Sequence, residues 1–309
     1  MQKNNKAQLF IAFVFIISYT MAAIYYFING GRGTQIGFTI MAAIYMFIPM
    51  ISVFIVKKMY RERLFSDLLI SFKINRWFFI AWLLFPIFTF FTLGLNILFP
   101  GITYNPEMTG FLSRFESFVD MPPDAIEEFT NLTNSIPNIV FILILLLQGL
   151  IAGVTVNAVA GFGEEIAWRG FLLKEFKEMR FLKASLVIGV IWGFWHAPLI
   201  LMGHNYPEHP QLGVFMMIIY CILLTPIFQY ITIRSKSVIP AAIAHGTHNA
   251  VVGTVIMATE GGNDLTRGST GIIGFLALII FNVGFFAYDN YVSRDKMYLS
   301  KIGKYSALS

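Results

Sequence analysis

The chain has 309 residues, 57% hydrophobic, 16% aromatic and only 13% charged. Soluble globular proteins carry about 25% charged residues, so this balance, with a mean hydropathy of +0.69, excludes a water-soluble enzyme and indicates a polytopic membrane protein. The net charge of +5 sits in short basic loops rather than in a nucleic-acid-binding patch, and the single cysteine, Cys221, excludes an intramolecular disulfide.

The first apolar run covers residues 9–28, too long for the core of a signal peptide, and ends at Gly30, Gly31 and Gly33. The second covers 36–56. A basic loop follows with Lys57, Lys58, Arg61, Arg63, Lys73 and Arg76, and its amphipathic middle, 64–72, is expected to lie along the membrane surface. The third run, 77–99, contains Pro86, which predicts a kink. Residues 100–137 form the longest polar segment. It is acidic (Glu107, Glu116, Asp120, Asp124, Glu127, Glu128), is interrupted by Pro122 and Pro123, and carries the glycosylation tripeptide Asn131-Leu132-Thr133.

The fourth run starts near Asn138 and continues past residue 160, longer than the ~20 residues a bilayer requires. It is therefore kinked near Gly161 and Gly163 or is followed by a second short helix. The remaining runs are 182–202, 212–233, 238–258 and 272–288. Gly149 with Gly153, and Gly189 with Gly193, have the GxxxG spacing that would let the fourth and fifth spans approach closely. Glu260, Asp264, His204, His209 and Arg267 read as solvated loop residues, and Asp289 as interfacial.

Eight spans predict an all-α bundle with both termini on one side. Of the 22 Lys and Arg residues, only Arg32, Arg114 and Arg267 fall in the loops of the other side, so the termini are expected in the cytoplasm of a cell-membrane protein. The chain divides into 1–137 (three spans and the acidic outer loop), 138–258 (the core) and 259–309 (the last span and a basic tail).

Charged and titratable groups cluster in that core. An ionised side chain at the bilayer centre costs roughly 2.5–3.5 kcal/mol on insertion scales, so such groups face one another or a wet cavity. Residues 161–171 read GFGEEIAWRGF. On a helix Glu165 and Arg169 are i,i+4 partners in the favourable order, which leaves Glu164 about 100° round the axis and free. His196 follows Trp192 by one turn, and Pro198 breaks the helix behind it. His245 and Asn249 share a face one turn apart, while His248 points elsewhere.

A carboxylate and an imidazole can hold a water and take its proton, as Glu164 and His196 could. A second imidazole and a carboxamide, such as His245 and Asn249, can donate to an oxyanion. Glu164, His196 and His245 also form a possible zinc-ligand set. The chain has no HExxH, no GxSG and no GxGD, which removes zincin, rhomboid-type and presenilin-type designs.

These motifs resemble those of the CAAX-protease and bacteriocin-processing family of intramembrane proteases, also called the abortive-infection family. Its pattern is EExxxR, FxxxH and HxxxN. Here it reads Glu164-Glu165-Ile166-Ala167-Trp168-Arg169, Trp192 to His196, and His245 to Asn249, over roughly residues 145–258. Trp192 stands where the pattern has Phe.

The resemblance implies eight helices around a cavity open toward the cytosol. It implies Glu164 and His196 as the water-activating pair, His245 and Asn249 as oxyanion stabilisers, and Glu165, Arg169 and Trp192 in support. If a zinc is bound, Glu164, His196 and His245 would be its ligands. Asn249 is an unusual ligand and favours a metal-free glutamate mechanism. Members near the prenyl endopeptidase branch cleave the last three residues from prenylated CAAX proteins, so a lipidated or membrane-associated peptide is the expected substrate. Many prokaryotic members are instead tied to bacteriocin immunity, peptide maturation or scaffolding, which makes a non-catalytic scaffold the alternative. A transporter with Glu164, His196 and His245 as a proton relay is a third reading, without an inverted repeat to support it.

Overall fold

In a bilayer the backbone has no water to bond to, so the apolar runs must satisfy their own N–H and C=O groups as helices. The computed structural model describes residues 5–106, 127–128, 131–132 and 135–305, and Glu107, Glu116, Asp120, Asp124 and Thr133 of the acidic segment lie outside them. Helix α1 (Lys6–Asn29) ends where Gly30 takes the left-handed φ of 62°. Helix α2 (Gln35–Tyr45) starts under Thr34, whose Oγ1 accepts the N–H of Gly37 at 3.1 Å. It is followed by α3 (Ile48–Met59) and α4 (Arg76–Leu98), the latter capped by Asn75.

Strand β1 (Ile102–Tyr104) precedes α5 (Asn138–Val154) and α6 (Val156–Glu165). Helix α6 passes directly into π-helical turns at Ile166–Leu172. Then come α7 (Phe181–Trp195), α8 (Ala197–Leu201), α9 (Pro210–Ser235), α10 (Ile239–Val251), α11 (Thr254–Met257), β2 (Thr259–Gly261) and α12 (Ile272–Ala287).

All eight expected spans are helical, and the chain is an all-α integral membrane protein. Among the described residues five helices are long and apolar enough to cross a bilayer: Lys6–Asn29, Gln35–Met59, Arg76–Leu98, Pro210–Ser235 and Ile272–Val292. A sixth is the pair Ile139–Val154 and Val156–Glu175, bent by 48°. The bend falls at Thr155, earlier than the glycines suggested. The fifth and seventh runs are broken, at His196 ahead of Pro198 and between α10 and α11, and so fall short of a full span.

Segment 64–72, expected along the membrane surface, is irregular: Asp67 and Leu69 take positive φ, Leu68 is buried, and the Leu69 carbonyl accepts the Val238 N–H at 2.8 Å. Two loop expectations change. Asp264 is buried, not solvated, and accepts the backbone N–H groups of Glu208 (2.7 Å) and His209 (3.1 Å). Asp289 is fully buried and accepts the Tyr298 N–H at 3.1 Å, which folds the basic tail back onto the bundle.

The connections richest in Lys and Arg meet at one end. Lys6 and Lys57 both pair with Glu62, Lys174 reaches Asp67 at 3.2 Å, and Arg234 pairs with Asp295. Burial raises the Glu62 carboxyl, but its two lysines outweigh burial and hold it below the usual carboxylate range. At the other end β1 and β2 pair antiparallel, with Thr103 opposite Glu260.

The glycine seams join different helices from those expected. Gly149 and Gly153 face Val251 and Thr247 of α10, and Gly189 and Gly193 face Ile222 and Ile218 of α9. Span four thus packs on span seven, and five on six. Apolar burial drives little helix association in lipid, so such close approaches carry the packing. At Gly246 the close neighbours are all main chain, because a Cβ there would lie 2.5 Å from the Gly153 carbonyl oxygen and the Ala158 nitrogen. Both are backbone atoms and cannot swing aside. We expect Gly246→Ala to cost at least about 1–3 kcal/mol. Thermal melting of the detergent-solubilised protein measures it, and a wild-type melting temperature would contradict the packing.

Candidate active site

Helix α6 brings Glu164 and Glu165 into the centre of the bundle. Gly163 makes this approach possible, since a Cβ there would meet the Met46 carbonyl oxygen at 2.7 Å. Gly161 lies against His245 in the same way, at 3.2 Å from its Cβ. Both carboxylates are buried, and so are Arg169, Trp192 and His245.

Glu165 pairs with Arg169 as the i,i+4 spacing predicts, Nη1–H to Oε1 at 3.0 Å. The same Oε1 faces His245 Nδ1 at 2.8 Å, a contact the sequence did not suggest. The partners are 80 positions apart, and the sequence had paired His245 with Asn249 instead. Arg169 donates from Nη2 to Thr225 Oγ1 at 3.2 Å. Its guanidinium lies over the rings of Trp192 (4.4 Å) and Phe228 (4.9 Å). Among the described residues Glu165 Oε2 and Arg169 Nε have no hydrogen-bond partner.

Glu164 is arranged differently. Its Oε2 accepts the indole N–H of Trp192 at 2.7 Å and, more weakly, that of Trp168 at 3.4 Å. Its Oε1 stands 3.8 Å from His245 Nε2, too far for a direct hydrogen bond. Because His245 Nδ1–H is given to Glu165, a neutral His245 presents an unprotonated Nε2 to Glu164.

His196 caps the end of α7 and is partly exposed. Its Nδ1 lies 2.8 Å from the Trp192 carbonyl oxygen. A carbonyl only accepts, so Nδ1 carries the proton and Nε2 is the open nitrogen. The ring is 5.7 Å from that of Trp192, whose indole N–H reaches Glu164. Asn249 is exposed and has no hydrogen bond to any described residue. His248 faces away, as expected: it is buried 4.5 Å from the Phe85 ring, with Nε2 2.5 Å from the Tyr220 phenolic oxygen.

The possible zinc set is not gathered. Among the described residues only Glu208, His209 and Asp264, in the outer loops, bring three candidate ligand atoms within 4.8 Å of one another. Glu164, His196 and His245 do not, although both rings give Nδ1–H away and leave Nε2 as the atom able to ligate. The arrangement present here does not fit a three-ligand metal site.

Sequence reasoning missed Trp168, Thr225 and Phe228 as members of the cluster. Trp168 was within reach, since it is i,i+4 from Glu164 on one helix. Thr225 and Phe228 come from α9, which carries no motif.

No curated protein matches this chain. Residues 140–251 match the family model described as type II CAAX prenyl endopeptidase Rce1-like. That segment starts in α5 and ends with α10, and so contains Glu164, Glu165, Arg169, Trp192, His196, His245 and Asn249. The three motifs and the family model thus point the same way: over residues 140–251 the chain is similar to the Rce1-like type II CAAX prenyl endopeptidases, in line with the resemblance read from the sequence.

Proposed function

We propose that this protein is an intramembrane endopeptidase in which Glu164 takes the proton from an attacking water. One observation carries the reading: a buried carboxylate with one oxygen open toward an imidazole Nε2 at 3.8 Å, inside the segment that matches the family. Few structural roles call for such a pair in lipid, where a structural ion pair would close to hydrogen-bond distance, as Glu165 and Arg169 do at 3.0 Å.

The steps follow from the donors and acceptors. Water between the Glu164 carboxylate and an imidazole gives its proton to Glu164, and the hydroxide attacks the peptide carbonyl carbon. The carbonyl oxygen gains negative charge. His245, when protonated, and the exposed Asn249 carboxamide are the N–H donors for it. Glu164 then returns the proton to the leaving amine nitrogen as the C–N bond breaks. His196, with Nε2 unprotonated, serves as the second acceptor for the water. Glu165 orients His245, and Arg169 neutralises Glu165.

The substrate class we propose is a membrane-anchored peptide, of the prenylated kind for which the matched family is named. The basic end of the bundle would face the cytoplasm by the positive-inside rule. The core that performs the reaction is residues 138–258, with 1–137 and 259–309 enclosing it.

Mapping membrane-protein termini in cells tests the activity. Cells with the wild type should contain new termini that are absent with Glu164→Ala, and identical termini in the two would overturn the assignment. Because Glu164, His196 and His245 do not bring three ligand atoms together, cleavage by purified protein should persist after dialysis against a chelator. Loss of activity that zinc restores would instead require the histidines to reorient around a metal.

A further inference from the structure

We infer that Trp192 is a positioning residue for Glu164, acting through its indole N–H, an inference that rests on the peptidase reading above. The residue at this place in the motif is Phe in the pattern the chain resembles, and the exchange to Trp reads at first as one aromatic for another. The geometry separates two contributions. The ring packs under the Arg169 guanidinium at 4.4 Å and edge-on to Phe228 at 6.0 Å, contacts a phenyl ring could also make. The N–H donates to Glu164 Oε2 at 2.7 Å, which no phenyl ring can do.

That bond decides which oxygen does the work. A buried carboxylate with both oxygens free can rotate about its last torsion, which is broad and nearly two-fold. Here Oε2 is committed to the Trp192 indole, with the Trp168 indole at 3.4 Å behind it. Oε1 is thereby left facing His245 Nε2. Trp192 also fixes His196, through its backbone: its carbonyl oxygen accepts from Nδ1 at 2.8 Å, which sets the tautomer. One residue therefore orients both groups that the peptidase reading assigns to the water, the carboxylate by its side chain and the His196 imidazole by its main chain. Only the first depends on its being Trp.

The test removes the N–H and keeps the ring. Trp192→Phe, and separately replacement of Trp192 by the benzothiophene analogue of tryptophan, in which sulfur stands for N–H, are assayed in proteoliposomes on a lipidated peptide. A charge-assisted hydrogen bond of this type corresponds to about 10- to 100-fold in rate. We expect kcat to fall by that factor in both variants with KM unchanged, while the benzothiophene analogue at Trp168, which loses only the long bond, changes kcat less. The contact itself is read without turnover, from the indole N–H resonance of Trp192 in 15N-labelled protein, which should shift in Glu164→Ala.

Wild-type kcat in the benzothiophene variant would overturn the positioning role, and so would an indole resonance that Glu164→Ala leaves in place. If Glu164→Gln retained full cleavage, the peptidase reading would fall by itself, and the resonance would still report whether Trp192 holds Glu164.

Discussion

Replacing Glu164 with Gln should lower the rate of peptide cleavage by about 100- to 10,000-fold, the range that a positioned general base contributes. The substitution is the most discriminating one available because it keeps so much. Gln has the same shape, and its amide oxygen can still accept the Trp192 N–H that now ends on Oε2 at 2.7 Å. Its amide nitrogen would then face His245 Nε2 in place of Oε1, as a donor facing an acceptor. The fold therefore has no reason to change, and the melting temperature should match or exceed that of the wild type, since a buried charge is gone. What is lost is the ability to take a proton from water. Cleavage of a lipidated peptide by reconstituted protein, with melting measured on the same preparation, checks both halves. A variant that is folded and fully active would remove Glu164 from the mechanism.

The sequence made the local parts of this site legible and the distant ones opaque. Glu165 and Arg169 could be paired because i,i+4 spacing on a helix fixes their separation, and the bond is there at 3.0 Å. The break after His196 could be read from Pro198, which has no N–H to give. The partner of His245 could not be read, because the contact with Glu165 depends on how α6 packs against α10. Packing also decided the glycine seams: GxxxG announces a close approach but does not name the helix that approaches, and it was α10 and α9 rather than each other. The π-helical turns at Ile166–Leu172 have no signature in composition or spacing. In the loops, residue type was a poor guide, since Asp264 reads as solvated and Asp289 as interfacial, yet both are buried.

A second large effect concerns Glu165 and Arg169, whose structural and functional roles can be pulled apart. Both side chains are fully buried. Arg169→Met would leave Glu165 as a buried carboxylate with His245 as its remaining partner, and breaking a buried pair from one side costs about 3–5 kcal/mol. The variant should melt far below the wild type or fail to accumulate. Replacing both residues, Glu165→Leu with Arg169→Met, removes the uncompensated charge together with the need to neutralise it. Apolar residues of similar size often substitute for a buried pair at little or no cost, and in lipid they meet no penalty. The double variant should therefore regain most of the lost melting temperature. It should not regain cleavage. With Glu165 gone, Nδ1 of His245 has no acceptor, the ring is free to turn, and Nε2 is no longer held toward Glu164. We expect its rate to stay at least about 100-fold below wild type. Recovery of stability without activity is the result that distinguishes an orienting carboxylate from a purely structural one. Recovery of both would assign Glu165 and Arg169 to the scaffold alone, and would leave His245 to be oriented by its stacking on Phe228 at 5.8 Å.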